Sequence, residues 1–245
     1  MSDPAWALAL TLAGLAASTS NGAVGIGGGL LVMPLLALWF PPQQVVAYTV
    51  PMFFVSTLVT GWRYRRDIHW RSFFSLTPGV LAGIVVGAHF LSTAPAVIIR
   101  AIMGGIALLF GTQEVIRLIT HRTLAAPPVW VSVPLTLAAG VASALTNIGG
   151  TVVSLAMIGQ SMGPRLFVGT LTAVMISMSA LKLGLFSVGG LLTWHGAVLA
   201  IPSIPASIVG SRMGRWLNGR LSPDVFRWIL LAIIMASALL LVLRH

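Results

Sequence analysis

The residues best suited to bind a ligand form two short polar, glycine-rich segments that interrupt long apolar runs. They are Ser20, Asn21, Gly25, Gly27, Gly28 and Gly29 in the first segment, and Thr146, Asn147, Gly149, Gly150 and Thr151 in the second. A helix that begins after such a break points free backbone N–H groups and its positive dipole end at a ligand, which favours an anion. Glycines let the backbone approach closely, and amide and hydroxyl groups donate hydrogen bonds. The two segments therefore predict an anion-binding site.

Lys182 is a further candidate ligand group, because it lies well inside the apolar segment 167–188. An ionisable side chain within a membrane span is a functional candidate by default, and a buried cation attracts an anion. The structural alternative is that the lysine stem extends to a membrane interface and leaves its charge in water. The glycines have an alternative role too, since small residues allow close helix packing in membranes.

Few other residues have the type and spacing that catalysis or metal binding requires. The chain has no cysteine, and its histidines show no metal-ligand spacing, so thiol chemistry is excluded and no metal site is predicted. Among the acidic residues, Asp3, Asp67 and Asp224 lie in tails or loops, and Glu114 precedes Arg117 as in a helical ion pair. We therefore predict no catalytic residue, no cofactor and no enzyme activity.

The composition places the elements that carry these residues in a membrane. Hydrophobic residues make up 57% of the chain, charged residues 7%, and the mean hydropathy is +0.99. A soluble domain of this length does not have that balance. The formal charge of +10 comes from basic residues at the ends of apolar runs, which indicates membrane topology rather than nucleic-acid binding. The predicted partners are the lipid bilayer and a small anionic substrate.

Apolar segments fill the whole chain and are all predicted to be helical, since only helices or closed barrels span lipid and no strand alternation is present. They cover residues 5–20, 26–40, 44–62, 72–91, 96–119, 129–144, 148–163, 167–188, 195–217 and 223–243. We predict a single transmembrane domain over residues 1–245. No signal peptide is expected, because Asp3 stands where a basic region should be.

The two halves of the chain resemble each other. Residues of the first half recur in the second at one constant offset, with Trp70, Pro78, Ile84 and Val85 matching Trp194, Pro202, Ile208 and Val209. The residues Ile26–Gly28 match Ile148–Gly150 at nearly the same offset. This ordered self-similarity predicts two repeats, over residues 1–122 and 127–245.

Arginines predict the orientation of the segments. The loop 63–71 contains four of them and is therefore predicted to be cytoplasmic, as is the arginine-rich loop before the last helix. The run 129–163 must then begin and end on the cytoplasmic side. Limbs of 15 or 16 residues reach about 22–24 Å, short of a hydrocarbon core of roughly 30 Å. We therefore predict a re-entrant hairpin there, and a second one over residues 5–40 that enters from outside.

Each repeat then consists of one glycine-broken re-entrant helical hairpin and three transmembrane helices. An odd number of spans per repeat gives the repeats opposite orientations. We predict an all-α polytopic membrane protein with two inverted-topology repeats, and with the N-terminus and the C-terminus both external. The hairpin tips meet near the midplane, where secondary transporters bind their substrates.

The segment Gly25-Ile-Gly-Gly-Gly-Leu-Leu-Val-Met-Pro34-Leu35 resembles the N-terminal signature of the TauE/SafE sulfite exporter family. The duplicated layout, the length and the basic loop 63–71 fit that family as well. In the second half, Thr151 replaces the third glycine and Ala156 stands where the first half has Pro34. The resemblance implies transport of sulfite, sulfoacetate or related organosulfonates, in most cases as export, across a bacterial inner membrane.

Other functions stay open at the level of sequence. An anion channel is compatible with the scarcity of carboxylates in the spans, and an importer of an organosulfonate or a non-transporting membrane scaffold has the same composition. The sequence does not name the anion, the direction of transport, any coupled ion or the oligomeric state, so a homo-oligomer is also open.

Overall fold

The structure is a computed structural model and describes residues 3–24, 28–120, 132–158, 160, 162–218 and 223–243. These residues form α-helices and no strand, so the all-helical prediction is confirmed for them. The helices are α1 (Asp3–Val24), α2 (Gly28–Ala37), α3 (Pro42–Tyr64), α4 (Trp70–Thr93), α5 (Ala96–Thr120), α6 (Ser132–Thr146), α7 (Gly149–Ile158), α8 (Pro164–Val188), α9 (Trp194–Leu199), α10 (Ser203–Asn218) and α11 (Pro223–Leu243).

Five helical stretches among the described residues are long and apolar enough to cross a membrane. They are α3, α4, α5, α8 and the combined stretch Trp194–Gly214. Each coincides with a span predicted from the sequence. The remaining predicted span corresponds to α11, which has 21 residues and an apolar part at Arg227–Leu243. The chain is therefore a multi-pass membrane protein.

Two predicted segments differ from the structure. The sequence predicts a helix end at residue 20, but α1 has 22 residues and continues to Val24. A single polar residue and glycine do not end a helix whose backbone groups have no water to bind. The predicted helix 195–217 is instead divided into α9 and α10, because Pro202 cannot donate a helical hydrogen bond. A tighter bond, from Ser203 N to Ala200 O at 3.1 Å, bridges this break.

Helices of the first half pack against helices of the second half. The pairs are α1 with α10, α4 with α6, α3 with α8, and α5 with α11. The segment α9–α10 runs parallel to α1, since His195 lies beside Asp3 and Gly210 lies beside Leu15. Residues that are distant in sequence therefore position the helices that flank each glycine-rich segment.

The contact between α4 and α6 is made by backbone. A Cβ atom at Gly83 would collide with the carbonyl oxygen of Leu137, and one at Gly140 would collide with the carbonyl oxygen of Val80. Such small residues let helices approach closely in a membrane, where the packing of small side chains replaces the hydrophobic effect between helices. The glycines thus set the distance at which α4 holds α6.

The variant Gly140→Ala is expected to destabilise the protein. The added methyl group has no space against α4, and overpacking of this kind costs about 1–3 kcal/mol. Thermal melting in detergent should show the loss. Gly184→Ala is the matched control, because a Cβ atom at Gly184 meets no atom within 4 Å. Equal melting temperatures for the two variants would contradict the role given to Gly140.

One end of the helix bundle, which we call the aromatic end, is defined by Trp6, Phe40 and Tyr48. The ring centroids of Trp6 and Phe40 are 4.1 Å apart, and those of Trp6 and Tyr48 are 5.1 Å apart. Trp6 lies near the start of α1 and Phe40 just after α2. The pair α1–α2 therefore returns to the end at which it began.

The opposite end, which we call the basic end, carries the loop 63–71 and Arg165. There the hydroxyl of Ser72, on α4, donates to Oε1 of Gln160, which follows α7. Thr136, near the start of α6, lies against Gly79 of the same helix α4. The pair α6–α7 thus begins and ends on the half of α4 that is nearer the basic end. Whether either helix pair is re-entrant in a bilayer stays a prediction.

Candidate functional site

The break between α6 and α7 consists of Asn147 and Ile148. Asn147 has a φ of 55°, in the left-handed region that asparagine tolerates better than most residues. Its N–H still donates to the carbonyl oxygen of Ser143 at 3.1 Å, as the last helical bond of α6. The change in backbone direction at Asn147 sends its side chain towards α3 and α8.

Lys182 on α8 is buried, with only 3% of its surface exposed. Its Nζ atom donates to Oδ1 of Asn147 at 2.5 Å, to Oγ of Ser143 at 3.0 Å and to the carbonyl oxygen of Ser143 at 3.3 Å. The three donors of an ammonium group thus have three acceptors inside the protein. The alternative in which Lys182 extends to a membrane interface is wrong for this structure.

The amide of Asn147 connects Lys182 to α3. Its Nδ2 atom donates to Oγ1 of Thr49 at 3.0 Å and to the carbonyl oxygen of Val46 at 3.4 Å. Lysine can only donate and a carbonyl oxygen can only accept, so these partners decide which way the amide points. We call Thr49, Ser143, Asn147 and Lys182 the Lys182 cluster.

No carboxylate pairs with Lys182 in the described part of the chain. Asp3 pairs with His195 at 3.0 Å, and Glu114 pairs with Arg117 at 3.3 Å. The acceptors around the ammonium are neutral, and a charge removed from water is costly unless an opposite charge joins it. The cluster is therefore an environment in which an anion would be stabilised.

The first glycine-rich segment reaches the second one. A Cβ atom at Gly29, in the first turn of α2, would lie 2.8 Å from the carbonyl oxygen of Asn147 and 3.2 Å from that of Thr146. The Sδ atom of Met33, one turn further along α2, lies 3.9 Å from Nδ2 of Asn147 and from Oγ1 of Thr49. The start of α2 thus packs directly on the break between α6 and α7.

The predicted hydroxyl ligands are less available than the sequence suggests. Thr146 is buried, and its hydroxyl donates to the carbonyl oxygen of Ala142 at 2.6 Å. Ser20 is fully buried inside α1 rather than in a break. The side chain of Thr151 is half-buried in the first turn of α7. The hydroxyls of Thr146 and Ser20 are thus occupied or enclosed, because α6 and α1 continue further than the sequence predicts.

The glycines that were predicted to line the site, where the structure describes them, lie at close contacts between helices. A Cβ atom at Gly28 would meet Ala17 of α1, and one at Gly149 would meet Ser143 and Met178. Gly150 lies against the flexible side chain of Met175. The packing role is therefore present at these three positions, and it does not exclude a binding role for their backbone N–H groups. Gly25 and Gly27 lie outside the described residues, and so does the side chain of Asn21.

Sequence reasoning missed Ser143 and Thr49. Ser143 precedes Asn147 by one helical turn, and this i, i+4 spacing was a usable signal. Thr49 bears no such signal, because its hydroxyl also donates to the carbonyl oxygen of Val45 at 2.8 Å, like many membrane hydroxyls. Only the packing of α3 against the break shows that Thr49 accepts from Asn147.

Lys182 and Thr49 lie on the halves of α8 and α3 that are nearer the aromatic end. Lys182 is six residues before Val188, where α8 ends, or about 9 Å by helical rise. Thr49 is seven residues after Pro42, where α3 begins, or about 10 Å. The position of the site near the bilayer midplane stays a prediction.

An apolar groove of about 550 Å³ opens between α2 and α11, apart from the Lys182 cluster. Its lining is aliphatic and aromatic except for Ser237, whose hydroxyl donates to the carbonyl oxygen of Ile234 at 3.0 Å. A groove of this composition has no group that would bind a small anion. The candidate site is therefore the Lys182 cluster and the starts of α2 and α7.

Comparison with known proteins gives one match. A family model described as sulfite exporter TauE/SafE matches residues 10–241, nearly the whole chain. No curated protein and no solved structure matches the chain.

Proposed function

Because the chain belongs to the TauE/SafE sulfite exporter family, we propose that it exports small sulfur-containing anions, such as sulfite, sulfoacetate or related organosulfonates, across a bacterial inner membrane. The observation that carries this proposal is the buried ammonium of Lys182, which has only neutral partners where α2 meets the α6–α7 break. An anion is the ligand that such a charge favours.

We place the anion against Lys182 and the first turns of α2 and α7. The positive dipole ends of these two helices favour a negative charge nearby. Gly29 and Gly149 bring these turns close to the cluster. Asn147 holds Lys182 in position, and its amide is the polar group most easily redirected towards a ligand.

We further infer that the halves are inverted repeats. In support, Gly14 of α1 packs against Ser207 of α10, while Gly140 of α6 packs against Gly83 of α4. The positions Gly83 and Ser207 are equivalent in the repeat predicted from sequence. The pair α1–α2 returns to the aromatic end and α6–α7 to the basic end, as opposite orientations require. By the positive-inside rule the basic end is cytoplasmic, which leaves both termini external.

Transport then requires the anion to reach the Lys182 cluster from the basic end and to leave at the aromatic end. Tyr48 precedes Thr49 of the cluster, and with Trp6 and Phe40 it forms the ring contacts at the aromatic end. These rings must separate for release. Movement of spans around a fixed site is the usual way in which repeat-built transporters give access to each side in turn.

Export of an anion needs no coupled ion in a cell that is negative inside. The membrane potential contributes roughly 2.3 kcal/mol per charge per 100 mV. Among the described carboxylates, Glu114 lies inside a predicted span and pairs with Arg117, and Asp224 is the second residue of α11. This scarcity favours a uniporter over a proton-coupled or sodium-coupled carrier.

Thermal melting of the purified protein tests the proposal. A ligand that binds only the folded state stabilises it by about 2.7 kcal/mol at 100 times its Kd, so the melting temperature should rise with the transported anion. The panel is sulfite, sulfate, sulfoacetate, taurine, isethionate and chloride. A rise with a sulfur anion and none with chloride is expected. No rise with any of them at millimolar concentration would favour a membrane scaffold.

Counterflow in proteoliposomes separates a carrier from a channel. Unlabelled anion inside the vesicles should accelerate uptake of the labelled anion, because a carrier returns faster when loaded. A channel gives flux without this acceleration. That result would contradict the carrier and support an anion channel, which the scarcity of carboxylates also allows.

A further inference from the structure

We propose that this site selects anions that carry one negative charge over anions that carry two, with Lys182 as the residue that determines this preference. The inference rests on the proposed transport function and narrows its substrate class. The evidence for it is the net charge of the side chains and helix ends that surround the site in the described helices.

The elements packed against α8 supply no second charge near Lys182. They are α3, α4, α6 and α7. Neither α6 nor α7 contains an ionisable residue. The ionisable residues of α3 and α4 lie towards helix ends, and they are Tyr48, Arg63, Tyr64, Arg71 and His89. On α8 itself, Arg165 lies in the first turn at the basic end. Of the helices packed against α2, α5 carries Arg100, whose Nε atom donates to the carbonyl oxygen of Ala37 at the far end of α2, nine residues from Gly28. Within the described residues, Lys182 is thus the cation of the site.

The helix ends at the break between α6 and α7 add little to the positive charge of Lys182. The start of α7 contributes roughly half a positive charge, and the end of α6 contributes roughly half a negative charge. The two ends are separated only by Asn147 and Ile148, so they nearly cancel. The carbonyl oxygen of Ser143, in the last turn of α6, already accepts from Lys182 at 3.3 Å. The start of α2, at Gly28, likewise follows the end of α1, at Val24, by only four residues, so the partial charges of these two termini are also opposite. The net charge of the site is therefore close to that of one ammonium group.

A singly charged anion neutralises such a site, whereas a doubly charged anion leaves an excess negative charge inside the protein. An uncompensated charge in apolar surroundings is disfavoured, because no water is present to solvate it. The favoured substrates are hydrogen sulfite and monosulfonates whose remaining part is neutral. Sulfate and the sulfite dianion are disfavoured by the same rule. So is sulfoacetate, which carries two charges, and the inference therefore narrows the proposed substrate class to its singly charged members.

Methanesulfonate and sulfate form the matched pair that tests the inference. Both are tetrahedral at sulfur, with four sulfur-bound oxygens in sulfate and three in methanesulfonate, and they differ in charge. Counterflow in proteoliposomes should give a transport efficiency for methanesulfonate at least about tenfold above that for sulfate. Sulfite flux should fall as the pH rises and hydrogen sulfite loses its proton. Methanesulfonate keeps its charge, so its flux controls for any effect of pH on the protein and should change less.

A second cation in the site should reverse the preference. Met178 lies one turn before Lys182 on α8, is buried, and directs its Cε atom towards Gly149. The variant Met178→Lys should raise sulfate transport relative to methanesulfonate. Met178→Leu, which keeps the side chain apolar, should leave the ratio of the two fluxes unchanged.

The outcomes distinguish this inference from the function on which it rests. Sulfate transport equal to or better than methanesulfonate transport in the unmodified protein overturns the inference and supports anion transport. The absence of flux for every sulfur anion contradicts the transport function and the inference together. The unmodified protein decides both points, so the test does not depend on the folding of a variant.

Discussion

The variant Lys182→Met is expected to lose most anion transport. Loss of one partner of a buried charge interaction typically costs about 2–5 kcal/mol, which lowers affinity roughly 30-fold or more. Methionine matches the length of lysine and removes only the charge and the donors. Counterflow with the best anion of the panel measures the loss, and the anion should no longer raise the melting temperature.

The same variant should remain folded. Oδ1 of Asn147 and Oγ of Ser143 lose a donor, at a cost of about 1–3 kcal/mol for an unsatisfied group. The cost is offset because the variant no longer buries the Lys182 charge, which has no carboxylate partner among the described residues. Lys182→Arg, which keeps the charge, is the control and should retain measurable transport. Transport by Lys182→Met within about threefold of the unmodified protein would show that the cation does not bind the substrate.

The variant Asn147→Asp is expected to abolish anion binding by a different route. Oδ1 of Asn147 lies 2.5 Å from Nζ of Lys182, so an aspartate there would form an ion pair with the lysine. The pair carries no net charge and has nothing left to attract an anion. Aspartate has the same shape as asparagine and also tolerates the φ of 55° at this position. We expect at least about a 30-fold loss of transport. The melting temperature without substrate should fall little, because the new ion pair offsets the loss of the Nδ2 hydrogen bonds to Thr49 and Val46.

Asn147→Gly separates the effect of charge from the effect of lost hydrogen bonds. Glycine adopts positive φ readily and removes the amide, but it leaves Lys182 unneutralised. We expect a lower melting temperature and anion transport well above that of Asn147→Asp. Equal loss of transport in the two variants would mean that the Asn147 amide, rather than the net charge, is what the substrate needs.

The sequence was sufficient for features that depend on local composition. A chain that is 57% hydrophobic and 7% charged must satisfy its backbone hydrogen bonds in lipid, so helices and a multi-pass arrangement follow directly. Lys182 was identifiable in the same way, because a charge within an apolar segment is conspicuous whatever the fold. The glycine-rich segment after Val24 was sufficient to indicate the family.

The contacts of the site were decided only by the tertiary structure. Lys182, Asn147 and Thr49 lie on different elements, and their hydrogen bonds depend on how α3, α6 and α8 are rotated and how closely they approach. That rotation is set by packing elsewhere, such as the contact of Gly140 with α4. A sequence therefore shows which residues can bind an anion, but the packing of distant helices decides which of them meet, since no local preference determines that geometry.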